Sequence, residues 1–220
     1  TGAAYNPANG HLFISDDNAH RVTEITAGTD GQFFTADDTR TDFRTSWFGS
    51  DDPEGITFDT TSGHLFIVDG TAAEVYEVSP GPNGIFDGIY DPPAHMGDDI
   101  VGHFDTEALG LLDPEGVEYR PDTNTLFVLS GKSNLIAETT VDGVVLRYID
   151  ITGINGYHEA GLAYAPSSLD PGVMSFYIVS REVDNATNPE ENDGKIYEIV
   201  APSGELIPTY TPSNTPSETF

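Results

Sequence analysis

Asp52-Pro53-Glu54-Gly55-Ile56-Thr57-Phe58, followed by Gly63-His64-Leu65-Phe66-Ile67-Val68-Asp69, returns almost unchanged as Asp113-Pro114-Glu115-Gly116-Val117-Glu118-Tyr119 and Asn124-Thr125-Leu126-Phe127-Val128-Leu129-Ser130. Each copy reads as a short strand, a turn at Gly or Asn, an apolar strand, a polar turn and a further strand. A strand-built unit recurring every ~40–60 residues marks radial or stacked architectures. Working outward, Gly2-Ala3-Ala4-Tyr5 and Asn9-Gly10-His11-Leu12-Phe13-Ile14-Ser15-Asp16 match the same unit, and Asn9-Gly10 is a hairpin signal. Arg21–Ile25 and Glu74–Val78 alternate polar and apolar residues as a half-buried third strand does. A fourth copy begins near Gly161-Leu162-Ala163-Tyr164 and continues through Ser175–Ser180 and Lys195–Val200.

The anchoring glycines Gly2, Gly55, Gly116 and Gly161 are 53, 61 and 45 residues apart, so the insertions belong to loops. Fourth strands are expected at Thr41–Phe48 and Ile100–Phe104, and Asp142-Gly143 predicts a hairpin into Val144–Ile149. The expectation is an all-β chain: a β-propeller of about four four-stranded antiparallel blades. It covers residues 1–207, with repeats near 1–51, 52–112, 113–159 and 160–207. Residues 208–220, rich in Thr, Ser and Pro, read as an extended tail or linker. The register leaves three options open: four blades close directly, the chain belongs to a longer ring, or a neighbouring chain contributes.

Eight Lys and Arg stand against 37 Asp and Glu, a formal net charge of −29. Such a surface repels nucleic acid and anionic membranes, and no apolar run has membrane-spanning length. The absence of cysteine excludes disulfides, Zn–Cys sites and thiol catalysis. Acidity, abundant turn residues and the Thr/Ser/Pro tail point to an extracellular or cell-surface protein. Asn185-Ala186-Thr187 is a glycosylation-type sequon in a polar loop.

The Glu-Gly-Ile/Val start, the Leu-Phe-Ile/Val strand and the following Val/Ile-x-Glu-Val/Thr strand resemble blades of NHL-type and SdiA-regulated-type propellers, and phytase-like propellers share the look. The SdiA-regulated pattern is most similar from Asp113-Pro114-Glu115-Gly116 through Gly143-Val144-Val145-Leu146. The resemblance implies architecture more than activity, because propellers host enzymes, binders and scaffolds alike.

Three kinds of residue are candidates for chemistry. Glu54 and Glu115 directly precede glycine anchors, and in repeat four Ala160 takes that slot with Glu159 one position earlier; the three glutamates are expected to face a central channel, where carboxylates hold a cation or share a proton. Asp30, Asp37 and Asp38 form the strongest peripheral calcium candidate, with Asp87, Asp91, Asp98 and Asp99 behind them; the spacing is not that of an EF-hand, and solvated turn acids are the competing explanation. His11 and His64 share one repeat position, which argues for a structural role. No Gly-x-Ser-x-Gly elbow is present, and no residue stands out as catalytic. The expected function is a binding or structural module, assembling with copies of itself or with surface polymers and stabilised by calcium. The alternatives are a calcium-dependent hydrolase of phytase, esterase or lactonase type acting at the channel, and a fragment of a larger sensor protein.

Overall fold

The computed structural model describes residues 1–154, 158–181 and 194–200. The sequon at Asn185 and the tail 208–220 lie outside the described residues. The architecture is all-β, with no α-helix among the described residues, and the strands form four antiparallel blades. Blade one holds β1 (Ala3–Asn6), β2 (His11–Asp16), β3 (Arg21–Thr26) and β4 (Thr39–Arg44). Blade two holds β5 (Pro53–Phe58), β6 (Leu65–Asp69) and β7 (Glu74–Ser79). An insert carrying the small hairpin β8 (Tyr90–Asp91) and β9 (His95–Met96) precedes its outer strand β10 (Ile100–Asp105). Blade three holds β11 (Pro114–Arg120), β12 (Thr125–Ser130), β13 (Leu135–Thr140) and β14 (Val145–Asp150). Blade four has three described strands, β15 (His158–Pro166), β16 (Met174–Arg181) and β17 (Lys195–Val200).

One strand is shorter than expected. The stretch predicted as Thr41–Phe48 pairs as a strand over Thr39–Arg44 and then turns into a short 3-10 segment, Thr45–Phe48, ended by Gly49 at φ 96°. The left-handed glycine caps the turn and redirects the chain toward the axis.

The innermost strands β1, β5, β11 and β15 follow one another around the axis. The four anchoring glycines are equivalent points on them. A Cβ at Gly2 would sit 2.9 Å from the Glu54 carbonyl and 3.0 Å from Gly55 Cα; one at Gly55, 2.8 Å from Gly116 Cα; one at Gly116, 2.9 Å from Leu162 Cβ. Real Cβ atoms do not approach backbone so closely, and glycine lets adjacent strands converge. At Gly161 the series stops: among the described residues its Cβ would meet only Val179 of its own sheet, at 3.8 Å.

The core consists of three clusters, each between successive blades. Phe13, Val22 and Phe43 pack on Ile56, Phe58, Leu65 and Ile67, with Phe86 of the insert. Phe66, Val68 and Val75 pack on Val117, Leu126 and Val128. Phe127, Leu129 and Ile136 pack on Phe176 and Ile178. Strands β6 and β12 are therefore buried at every residue, whereas β2 and β16 are buried on one face. Among the described residues no comparable cluster joins blade four to blade one.

Alanine at Gly55 or Gly116 should destabilise by about 3 kcal/mol or more, because backbone on the next blade must move. Alanine at Gly161 should be tolerated. Urea unfolding of the three variants measures the contrast, and equal losses at all three positions would contradict it.

Candidate functional site

In blades two, three and four the pairing register shifts at the start of the innermost strand: between Pro53 and Ile56, Pro114 and Gly116, and Glu159 and Gly161. Such bulges re-aim a side chain; the extra residues include Glu54 in blade two and Glu115 in blade three, whereas in blade four Ala160 is the extra residue and Glu159, one position earlier, still pairs with Ser180. Glu54, Glu115 and Glu159 share one end of the axis. Glu54 is 8% exposed, and its carboxylate converges with those of Asp17 and Asp52, their ligand oxygens lying within 4.8 Å of one another. The amino group of Thr1 donates to Glu54 Oε2 at 2.8 Å. Glu115 and Glu159 line a cleft of roughly 230 Å3 with Asp113, Gly131, Lys132 and His158. Arg181 Nη2 donates to Glu115 Oε2 at 2.6 Å.

Burial pushes the Glu115 carboxyl up to about 7; Arg181 pulls it down, while Glu54 and Asp113 push it further up. A carboxyl that is half protonated near neutrality, beside ionised neighbours, can exchange protons or ligate a cation. Asp17, Asp52 and Asp113 were not singled out in sequence. The repeated Asp-Pro-Glu-Gly carried the signal for the last two, since both acids of each copy end up at the mouth. Beyond the glycines, the channel opens into a cleft of roughly 340 Å3 walled partly by Tyr177, Val179 and Ile196 of blade four.

At the other end of β11, Glu118 lines a cleft with Thr57, Tyr119 and Tyr5. Burial pushes its carboxyl up to about 7 against a hydrogen bond from the Tyr164 backbone.

The loop acids divide differently from the order of preference read in the sequence. Asp37 accepts from Thr29 N at 2.7 Å, Thr29 Oγ1 at 3.0 Å and Thr35 Oγ1 at 2.8 Å. Asp38 accepts from Thr35 N at 3.1 Å and lies 3.8 Å from Arg40, and Asp30 accepts from Gln32 N at 2.8 Å. Asp91 is exposed and pairs with His95 in the small hairpin. Among the described residues, the acids that converge away from the axis are Asp87, Asp98 and Asp99. The shared histidine position is a cross-strand pairing: His11 meets Glu24 at 2.5 Å and His64 meets Glu77 at 2.7 Å. In blade three, Thr125 donates to Glu138 at 2.9 Å, and Arg147 completes the pair at 2.5 Å.

A family model, SdiA-regulated, matches residues 3–163. The chain belongs to the SdiA-regulated family. No curated protein matches it in sequence. Among solved structures, a luciferin-regenerating enzyme is 14% identical with a TM-score of 0.55, covering 93% of this chain and 62% of its own. A catalytically inactive virginiamycin B lyase from Staphylococcus aureus, solved with quinupristin, is 14% identical with a TM-score of 0.51, covering 92% and 55%. A nidogen/laminin complex gives 18% identity and a TM-score of 0.51, covering 88% and 63%. These likenesses establish the propeller fold. This SdiA-regulated chain spans between about half and two thirds of the length of those structures.

Glu118 supplies a pH test. Its folded-state pKa lies above the unfolded value of about 4.3, so the folded chain keeps a proton that the unfolded chain has lost. That contribution to stability is present below about pH 4 and is lost as pH rises toward 7. Glu118→Gln should therefore melt at least about 3 °C above the parent at pH 8 and converge with it near pH 4. Parallel melting curves at both pH values would contradict the assignment.

Proposed function

We propose that this protein is a binding module that docks on a second copy of itself through the open faces of its terminal blades. The observation that carries the reading is the outer face of blade four. Val179 of β16 is 41% exposed, although the matching strands β6 and β12 of blades two and three are buried on both faces, and on the same face Ile196 and Val200 of β17 are 70% and 62% exposed. Blade one presents Tyr5, 52% exposed, with Leu12 and Ile14 partly buried on the same pleat. Blade against blade is how the apolar faces between successive blades are covered, and a like blade is the complementary shape. Pairing the last blade of one copy with the first blade of another is a head-to-tail contact, which closes a ring or continues as a filament. The charge of −29 opposes association, so salt or divalent cations should strengthen it. Composition supports a secreted or cell-surface setting, and the likeness to a nidogen/laminin complex is compatible with a binding role.

Sedimentation velocity over a range of salt and protein concentration tests this. The expected result is concentration-dependent association that rises with salt and weakens at least about 10-fold in Val179→Asp with Ile196→Asp. A strictly monomeric parent under all conditions would overturn the reading and leave further blades from a longer chain as the natural occupant of that face.

A second reading is favoured by the clustered acids of the mouth and the elevated Glu115 carboxyl: a cation-dependent hydrolase working there, with Glu115 as acid or base and Asp17, Asp52, Glu54 and Glu159 as ligands. Two of the fold neighbours are described as a lyase and an enzyme. A panel of lactones, carboxylic esters and phosphate esters, with and without chelator, should then show turnover that Glu115→Gln reduces by about 100-fold or more. Absence of chelator-sensitive turnover would remove the hydrolase.

A further inference from the structure

Blades one and two carry related inserts before their outer strands. Gly28-Thr29-Asp30-Gly31-Gln32-Phe33 corresponds to Gly81-Pro82-Asn83-Gly84-Ile85-Phe86, and Asp37-Asp38 before β4 corresponds to Asp98-Asp99 before β10. In blade one the acid pair has protein partners: Asp37 is held by Thr29 and Thr35, and Asp38 by Thr35 with Arg40 nearby. In blade two the backbone donor at the Thr35 position is kept as Gly88, but the other partners are gone. Pro82 replaces Thr29, Val101 stands in the place of Arg40, and a third acid, Asp87, stands in the place of Phe34.

The consequence is visible at the atoms. Asp99 is 6% exposed; its Oδ2 accepts from Gly88 N at 2.7 Å, but its Oδ1 is buried without a hydrogen-bond partner. Asp98 Oδ1 is likewise buried and unpartnered, while its Oδ2 accepts from Asn83 N at 3.3 Å. Asp87 accepts from Asp98 N at 3.0 Å and from the Asn83 side-chain amide at 3.0 Å. The three carboxylates offer ligand oxygens within 4.8 Å of one another, and no Lys or Arg pairs with any of them among the described residues. Buried carboxylate oxygens facing one another without donor or counter-charge are unfavourable unless a cation lies between them.

We infer that Asp87, Asp98 and Asp99 form a binding site for a hard divalent cation of the calcium type. An all-oxygen donor set on an irregular loop suits calcium better than magnesium, which demands near-ideal octahedral geometry. The ion takes the role that Thr29, Thr35 and Arg40 perform in blade one. The site sits where the insert leaves β7 and rejoins β10. It therefore clamps the base of a loop whose Phe86 fills the core between blades one and two and whose His95 stacks on Trp47 at 3.7 Å.

Trp47 is the single tryptophan of the chain, and a Cβ on Gly88 would sit 2.7 Å from its ring, so it is a built-in antenna for a lanthanide held by Asp99. The experiment excites tryptophan in the presence of terbium and follows displacement by calcium, with thermal melts in calcium and in chelator. Expected results are sensitised terbium emission displaced by calcium, and a melting temperature raised about 5–10 °C by calcium at 100-fold excess over Kd. Asp99→Asn should abolish both responses while melting at or above the parent in chelator, because it removes an uncompensated charge. Asp98→Asn is a second, less buried variant, and Asp37→Asn in blade one should leave both responses intact. Absence of sensitised emission in the parent, or responses undiminished in Asp99→Asn and Asp98→Asn, would overturn the site.

Discussion

The close approach of innermost strands at Gly2, Gly55 and Gly116 is the contact on which the other features depend. With a Cβ at any of these points the next strand is held off, and the large residues one register outward, Phe13, Phe66 and Phe127, lose the depth of packing that buries them completely. The glycines also set the chemistry of the mouth. Beside the tight approach the register shifts at each Pro-Glu-Gly step, at Glu54 and at Glu115. The bulge throws the glutamate clear of the strand interface and toward the axis end. Tight packing at the axis and a ring of acids at its mouth are thus two results of one sequence feature.

A blade in the middle of the series must be apolar on both faces, and a blade at the end need not be. The sequence of β16, Met174-Ser175-Phe176-Tyr177-Ile178-Val179-Ser180-Arg181, is that of a middle blade, with Phe176 and Ile178 directed inward and Tyr177 and Val179 directed outward. Its burial is that of an end blade. A face composed for contact and left without one among the described residues is the strongest physical reason to look for a neighbour. The glycine series says the same independently, since Gly161 has the identity of an axis contact and, among the described residues, no backbone opposite it.

Much of the fold was legible because the repeat announces itself twice within one chain. The glycine anchors, the apolar second strands and the Asp142-Gly143 hairpin follow from pattern alone, and the structure places them where the pattern put them. The Thr45–Phe48 turn escaped because alternation in Thr41–Phe48 resembles strand, whereas Gly49 decides the outcome through a left-handed φ. The loop acids show a different limit. Asp30, Asp37 and Asp38 are dense in sequence, and density is what a sequence reading registers. Whether an acid needs a cation depends on who already donates to it, and Thr29, Thr35 and Arg40 donate or pair in blade one. Asp87 and Asp98 are eleven residues apart and meet only because the small hairpin folds the chain back between them.

The distribution of charge connects these features. A chain with eight basic residues against 37 acidic ones cannot pair its acids, so most must face water, where repulsion is screened. The instructive acids are those that do not. Glu115, Glu118 and Asp99 all have carboxyls pushed up to about 7, and in each case burial is the leading cause. A fold that needed only solubility would leave such groups exposed or replace them with amides at little cost. Their burial concentrates unfavourable charge at three places: Glu115 at the axis mouth, Glu118 at the opposite end of β11 and Asp99 at the base of the blade-two insert. Those are the places where an incoming cation, or a proton, gains most by neutralising them.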